Sequence, residues 1–256
     1  MLQAHSFLWH YLWVAPNVLL FILCFLIWKR GLGKQFPAFF VFAVLSAVAQ
    51  LALYAADVSP SVTAKNFWRV DWAGLLVEGS LKFILIGEIF ASAFGAYASL
   101  ARLGKLLIRS IGIILVLTAA VAAAYAPKNG LFGIVSGAHM LEQTIYLIES
   151  GLLVFIFAFS ACFRLRLARP VFGIALGLAV SACVHLATWA IAANGVLPTD
   201  RRGVLDFLNM ATYNLTVLIW FYYLLVPGKV AVSPAVPLPE NHLDVWNREL
   251  ERLVRP

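Results

Sequence analysis

"WAGLLVEGSLKFILIGEIFASAF", residues 72–94, is apolar over a length that matches a lipid bilayer, yet it holds Glu78, Lys82 and Glu88. A hydrocarbon layer about 30 Å thick is crossed by about 20 helical residues. A charged side chain at its centre costs about 2.5–3.5 kcal/mol even on lenient insertion scales. The stretch therefore predicts a transmembrane helix together with neighbouring helices that shelter its charges.

The whole chain has the same character. Of its 256 residues 62% are hydrophobic and 12% charged, and the mean hydropathy is +0.90; soluble domains carry roughly 25% charged residues. Apolar runs cover Leu8–Trp28, Pro37–Ala56, Trp72–Phe94, Leu106–Ala126, Met140–Phe163, Val171–Ala193 and Leu205–Val226. A membrane β-barrel would show alternating segments of about 10 residues instead. The expectation is an all-α polytopic membrane protein, with a bundle of seven transmembrane helices over residues 1–227 and no separate soluble domain. Pro37 and Pro170 suit helix starts, where a missing N–H costs little, and Pro16 interrupts the first run. Gly173 and Gly177 form a small-residue pair, read as close helix packing within the chain.

The net charge of +7 could suggest nucleic acid, but its placement fits a membrane. Lys29, Arg30 and Lys34, then Arg102, Lys105 and Arg109, then Arg164, Arg166 and Arg169 fill alternate connections. The other connections mix Lys65, Arg69, Lys128, Arg201 and Arg202 with Asp57, Asp71, Asp200 and Asp206. Basic loops face the cytoplasm, so the N-terminus is expected outside and the C-terminus inside. No basic segment or small-residue cleavage site precedes or ends the first run, which reads as a retained helix. Cys24, Cys162 and Cys183 fall in the spans or at their inner ends, where no extracellular disulfide is expected. Residues 228–256 read as a Pro-rich linker and a short amphipathic helix. Its apolar side, Leu243, Trp246, Leu250, Leu253 and Val254, suits the inner membrane surface or a cytoplasmic protein partner docking on 240–254.

Helical spacing collects the polar residues. Asp71, Glu78 and Lys82 lie within about 40° of one another at 100° per residue, with Glu78 and Lys82 at the favourable i, i+4 order. Glu88 points elsewhere, and Arg102, Lys105 or Arg109 are its expected partners. His139, Glu142, Tyr146 and Glu149 make a second stripe, flanked by Gln143 and Ser150. Ser181, His185 and Thr188 make a third, and Asp206, Asn209, Tyr213 and Thr216 a fourth. His10, Tyr11, Asn17, Gln50 and Tyr54 complete the set. Nearly all belong to the outer half of their spans. The expectation is a polar chamber inside the bundle, open to the outside, with a Glu78–Lys82 pair at its centre. Asp71, Glu78, Lys82, Glu142, Tyr146, Glu149, His185, Asn209 and Tyr213 are the ligand-binding candidates.

Carboxylate and imidazole also suit iron, manganese or zinc, which makes His139, Glu142, Glu149 and His185 metal-ligand candidates. The di-iron pattern needs Glu-x-x-His from each of two helices; this chain offers one reversed His139-x-x-Glu142. No Gly-x-Ser-x-Gly, His-Glu-x-x-His or phosphate-cradling loop occurs, so no catalytic residue and no cofactor is assigned.

The seven-helix plan with an outside N-terminus resembles rhodopsins and seven-span receptors. Retinal-binding rhodopsins carry a Schiff-base lysine on the last span, and "LDFLNMATYNLTVLIWFYYLLV" has none, so that resemblance implies topology alone. "WHYLWVAPNVL", "FWRVDWAGLLVEGSLKF", "LARLGKLL", "HLATWA", "LDFLNMATYN" and the tail "LDVWNRELERL" look like a group of uncharacterised bacterial seven-span membrane proteins. That resemblance implies the span count and a bacterial inner membrane, and supplies no activity. The reading is a receptor-like or accessory integral membrane protein binding a small polar ligand or protons. The alternatives are a membrane enzyme with a carboxylate/histidine metal site and a structural subunit of a larger membrane complex.

Overall fold

The computed structural model describes residues 6–94, 106, 109, 110, 113, 117, 131–162, 167–193 and 203–226. The described residues are all-helical. Six long helices are α1 (Phe7–Lys29), α2 (Pro37–Val58), α3 (Ala64–Phe94), α4 (Leu131–Cys162), α5 (Arg169–Ala193) and α6 (Gly203–Leu225). Five of them, all but α3, are long and apolar enough to cross a membrane. α3 has the length, and its charges at Glu78, Lys82 and Glu88 set it apart. The outer faces are apolar, with Phe25, Ile84, Leu147, Val154 and Leu218 exposed. Such surfaces belong in lipid, and the chain is an integral membrane protein. Of the expected span Leu106–Ala126, only Leu106, Arg109, Ser110, Ile113 and Leu117 are described; all five are helical and exposed. The linker and amphipathic tail, 228–256, with its docking segment 240–254, lie outside the described residues.

Each long helix packs on the next, and α6 closes a ring against α1. Paired contacts at the two ends give the helix directions. Trp68 meets His139 and Phe94 meets Phe159, so α3 and α4 run parallel. Asn17 meets Tyr213 and Arg30 meets the Leu225 carbonyl, so α1 and α6 run parallel too. His10 with Tyr54, Phe39 with Glu88, Tyr146 with His185 and Trp220 with Ile174 set α2 and α5 antiparallel to the other four. The end of the bundle that holds Ser6 and the α2–α3 turn is called the upper end below.

Local chemistry explains the helix limits. Ser6 caps α1, accepting from the Trp9 N–H at 3.3 Å. At its other end Gly31 adopts φ 71°, the left-handed conformation that ends many helices. α2 starts with Pro37 at its first turn and has no side-chain cap from its own N-cap residue. Glu88 of α3 fills that role: its Oε2 accepts from the Phe39 N–H at 3.4 Å. Helix-start N–H groups attract a carboxylate as a basic side chain does; of the expected partners, Arg102 and Lys105 lie outside the described residues. α3 begins eight residues before the apolar run does, at Ala64, with Thr63 accepting from the Asn66 N–H. Its first turns carry Lys65, Arg69 and Asp71, so an apolar scan sees only the lower part of the helix.

Two packing devices hold the ring. Added side-chain atoms at Gly173 and Gly177 would fall 2.1 Å from Tyr223 and 2.3 Å from Trp220; the small-residue pair serves α5–α6 contact within the chain. Pro16 lacks the N–H that would bond to the Leu12 carbonyl four residues back. Asn214 of α6 donates to that carbonyl at 3.1 Å and to the Met210 carbonyl at 3.0 Å. The interrupted turn of α1 is thus completed from α6. Asn214→Leu is expected to cost about 1–2 kcal/mol in thermal unfolding in detergent. Adding Pro16→Ala returns the missing N–H and is expected to recover most of that loss; additive losses in the double variant would refute the link.

Candidate functional site

Lys82 is the junction of the site. It lies on the buried face of α3, which continues through Phe83, Ile86, Ile89 and Phe90, and is itself only 5% exposed. Its Nζ stands 3.3 Å from Glu78 Oε1, one turn above, and 3.3 Å from Glu149 Oε2 of α4. It also lies over the Tyr146 ring, 4.5 Å from the centroid. Gly79 lets α4 come this close, because a Cβ there would fall 2.7 Å from Ile145. Glu149 is fully buried, whereas the Glu78 side chain keeps a fifth of its surface exposed. With both acids ionised, the one ammonium leaves the triad with an excess negative charge.

Three cavities meet at Tyr146, which lines them all. The lower one, about 210 Å³, reaches from Trp13 and Gln50 past Glu78, Lys82, His185, Asn209 and Tyr213 to Thr216 and Trp220. Trp220 forms part of its floor, fully buried edge-on against Phe39 at 5.2 Å. The two upper cavities, about 360 Å³ each, share His139, Glu142 and Asp206. One adds Asp71 and the other Gln143 and Thr188. Among the described residues that line the three, Lys82 is the sole Lys or Arg, against the acids Asp71, Glu78, Glu142 and Asp206.

Several donors beside the cavities are committed to the protein. Tyr213 Oη donates to Asn17 Oδ1 at 3.2 Å, while Asn17 Nδ2 donates to the Trp13 carbonyl at 2.7 Å. Thr188 Oγ1 lies 2.9 Å from the His185 carbonyl and 3.0 Å from Asn209 Oδ1. His185 Nδ1 is 2.9 Å from the Ser181 carbonyl. A carbonyl can only accept, so Nδ1 carries the hydrogen and the neutral ring keeps Nε2 as an acceptor. The ring stacks on Tyr146 with centroids 4.4 Å apart.

Of the residues singled out from sequence, Glu78, Lys82, Tyr146, His185, Asn209 and Tyr213 line the lower cavity, and Asp71 and Glu142 line the upper ones. Glu149 lines none of these three cavities; it clamps Lys82 from α4. The metal candidates separate as well. His139 and Glu142 approach to 3.6 Å near the upper end, Glu149 is held by Lys82 and His185 by Ser181. Among the described residues no three His, Cys, Asp or Glu side chains gather as a metal-ion set. Trp13, Ser46 and Trp220 also line the lower cavity and were missed. The signal existed for two: Ser46 continues the Gln50–Tyr54 stripe at four-residue spacing, and Trp220 extends Asn209–Tyr213–Thr216.

Comparison with protein families, with characterised proteins and with solved structures finds no match for this chain. The geometry alone carries the functional reading. Lys82→Met removes the cation and leaves Glu149 buried without one, an expected loss of about 3–5 kcal/mol in thermal unfolding. Lys82→Met with Glu149→Leu removes both burdens and is expected to be more stable than Lys82→Met alone. An equal or lower stability of the double variant would dismiss the clamp.

Proposed function

We propose that the chain is a receptor-like or accessory protein of a bacterial inner membrane that binds a small polar ligand in a chamber open to the outside. The observation that carries this reading is the convergence of four helices' polar stripes on cavities beside the Lys82 triad. Polar groups with no ligand to handle are costly in lipid, and intramembrane ionisable residues mark binding or proton pathways by default. The excess acid of the triad also supports proton uptake as a second occupant of the same site, because one carboxyl can carry a proton beside an ammonium–carboxylate pair.

Seven spans with an outside N-terminus fit this proposal. The parallel course of α3 and α4 requires the chain to return to the upper end between Phe94 and Leu131, which supports a spanning helix over Leu106–Ala126. Lys29, Arg30, Lys34 and Arg169 belong to the lower end, and Lys/Arg-rich ends stay in the cytoplasm. The upper end, with the mouth of the chamber, then faces out. The tail would report occupancy to a cytoplasmic partner through 240–254.

In a background lacking Cys24, Cys162 and Cys183, Ser61→Cys and Asn209→Cys are expected to react with a membrane-impermeant thiol reagent added to intact cells. Lys34→Cys is expected to react only after the membrane is opened. Reversed labelling would overturn the orientation. Mass spectrometry of the full chain extracted from its own membrane is expected to find a small polar molecule that Glu78→Leu, Lys82→Met protein lacks. Identical spectra for the two would remove the support for a ligand chamber.

A further inference from the structure

We propose that the lower cavity selects a small organic ammonium ion, its charged nitrogen on Glu78 and its carbon atoms against Trp13, Tyr213 and Trp220. This inference rests on the binding chamber proposed above and names the chemical class of its ligand.

Charge excludes an anion. Lys82, the sole Lys or Arg among the described lining residues, already faces two carboxylates at 3.3 Å. An anionic ligand would have to displace one of them, and would pass Asp71, Glu142 and Asp206 on the way in. A cation meets the opposite field, and its charge offsets the excess acid of the triad. Glu78 holds Lys82 through Oε1 and is the more exposed of the two acids, so its second oxygen is available to the cavity it lines.

Hydrogen bonding points the same way. The Tyr213 hydroxyl, the Asn17 amide and His185 Nδ1 all donate to protein acceptors, whereas Glu78 and His185 Nε2 remain as acceptors. N–H donors of a ligand find these two acceptors in the cavity.

The walls distinguish an organic cation from a metal ion. A metal ion needs several oxygen or nitrogen ligands in place of its water, and no three-residue set for one gathers among the described residues. Trp13, Phe42, Leu178, Tyr213 and Trp220 offer aromatic and apolar surface instead, which suits C–H groups made electropositive by an adjacent ammonium. At about 210 Å³ the space equals roughly 7 waters of liquid volume, enough for a small molecule.

The test uses the full chain in lipid nanodiscs, titrated with butylammonium, tetramethylammonium, butanoate and butan-1-ol, reading tryptophan fluorescence and the midpoint of thermal unfolding. Saturable binding of one or both ammonium ions is expected, with butanoate and butanol at least tenfold weaker. Glu78→Gln is expected to weaken ammonium binding roughly 10- to 100-fold, the loss of one charge-assisted contact. Trp13→Leu, which leaves the triad intact, is expected to weaken it several-fold. Butanoate or butanol binding as tightly as the ammonium ions, or ammonium binding unaffected by both substitutions, would overturn the assignment while leaving a binding chamber in place. No saturable binding by any of the four would overturn the ammonium assignment, and it counts against the chamber itself only if the extracted protein also carries no small molecule.

Discussion

A single lysine caught between two carboxylates governs this bundle. Lys82 sits where lipid would penalise it by kcal/mol, and it persists because Glu78 and Glu149 each approach to 3.3 Å. That contact requires α3 and α4 to lie side by side, with Lys82 level with Glu149 and Gly79 clearing the way for Ile145. The rotation of both helices follows. Once Lys82 and Glu149 face inward, Asp71, Glu142 and Tyr146 turn towards the same cavities, and Ile84, Leu147 and Val154 turn out towards lipid.

Polar residues around this junction fall into two tiers with different work. The lower tier is bonded to the protein: Asn17 with Tyr213, Asn209 with Thr188 of an upper cavity's wall, and His185 with the Ser181 carbonyl. Its bonds tie α1 to α6 and α5 to α6, so the walls of the cavity and the scaffold are the same side chains. The upper tier, Asp71, His139, Glu142 and Asp206, surrounds wider cavities. Its acids create a field that draws cations towards the lower tier. Below both, Trp220, Phe39 and Phe42 form an aromatic floor, and Glu88 accepts from the start of α2.

Much of the scaffold was legible because lipid imposes a simple rule on composition. The apolar runs at Leu8–Trp28, Pro37–Ala56 and Val171–Ala193 correspond to α1, α2 and α5 within two residues. The start of α3 was misjudged because its first turns are polar and the apolar run begins only at Trp72. Among site residues, the i, i+4 spacing gave the Glu78–Lys82 pair. It could not give the role of Glu149, which depends on how α4 is rotated against α3. Trp13 escaped because an indole near a span end also suits an interfacial anchor, and only packing tells the two apart.

By itself the amino-acid sequence determined that this chain is helical, lies in a membrane, and hides its polar residues on inward faces, since each of those follows from the cost of exposing backbone and charge to hydrocarbon. The tertiary structure alone decided which helices are neighbours and which side chains meet. It gave Lys82 two acids where one was foreseen, gave Glu88 a helix start, and held Glu149 and His185 apart from the His139–Glu142 pair. Periodicity places a residue on a face of its own helix, whereas a contact also depends on the direction, height and rotation of another helix, and those are fixed by packing.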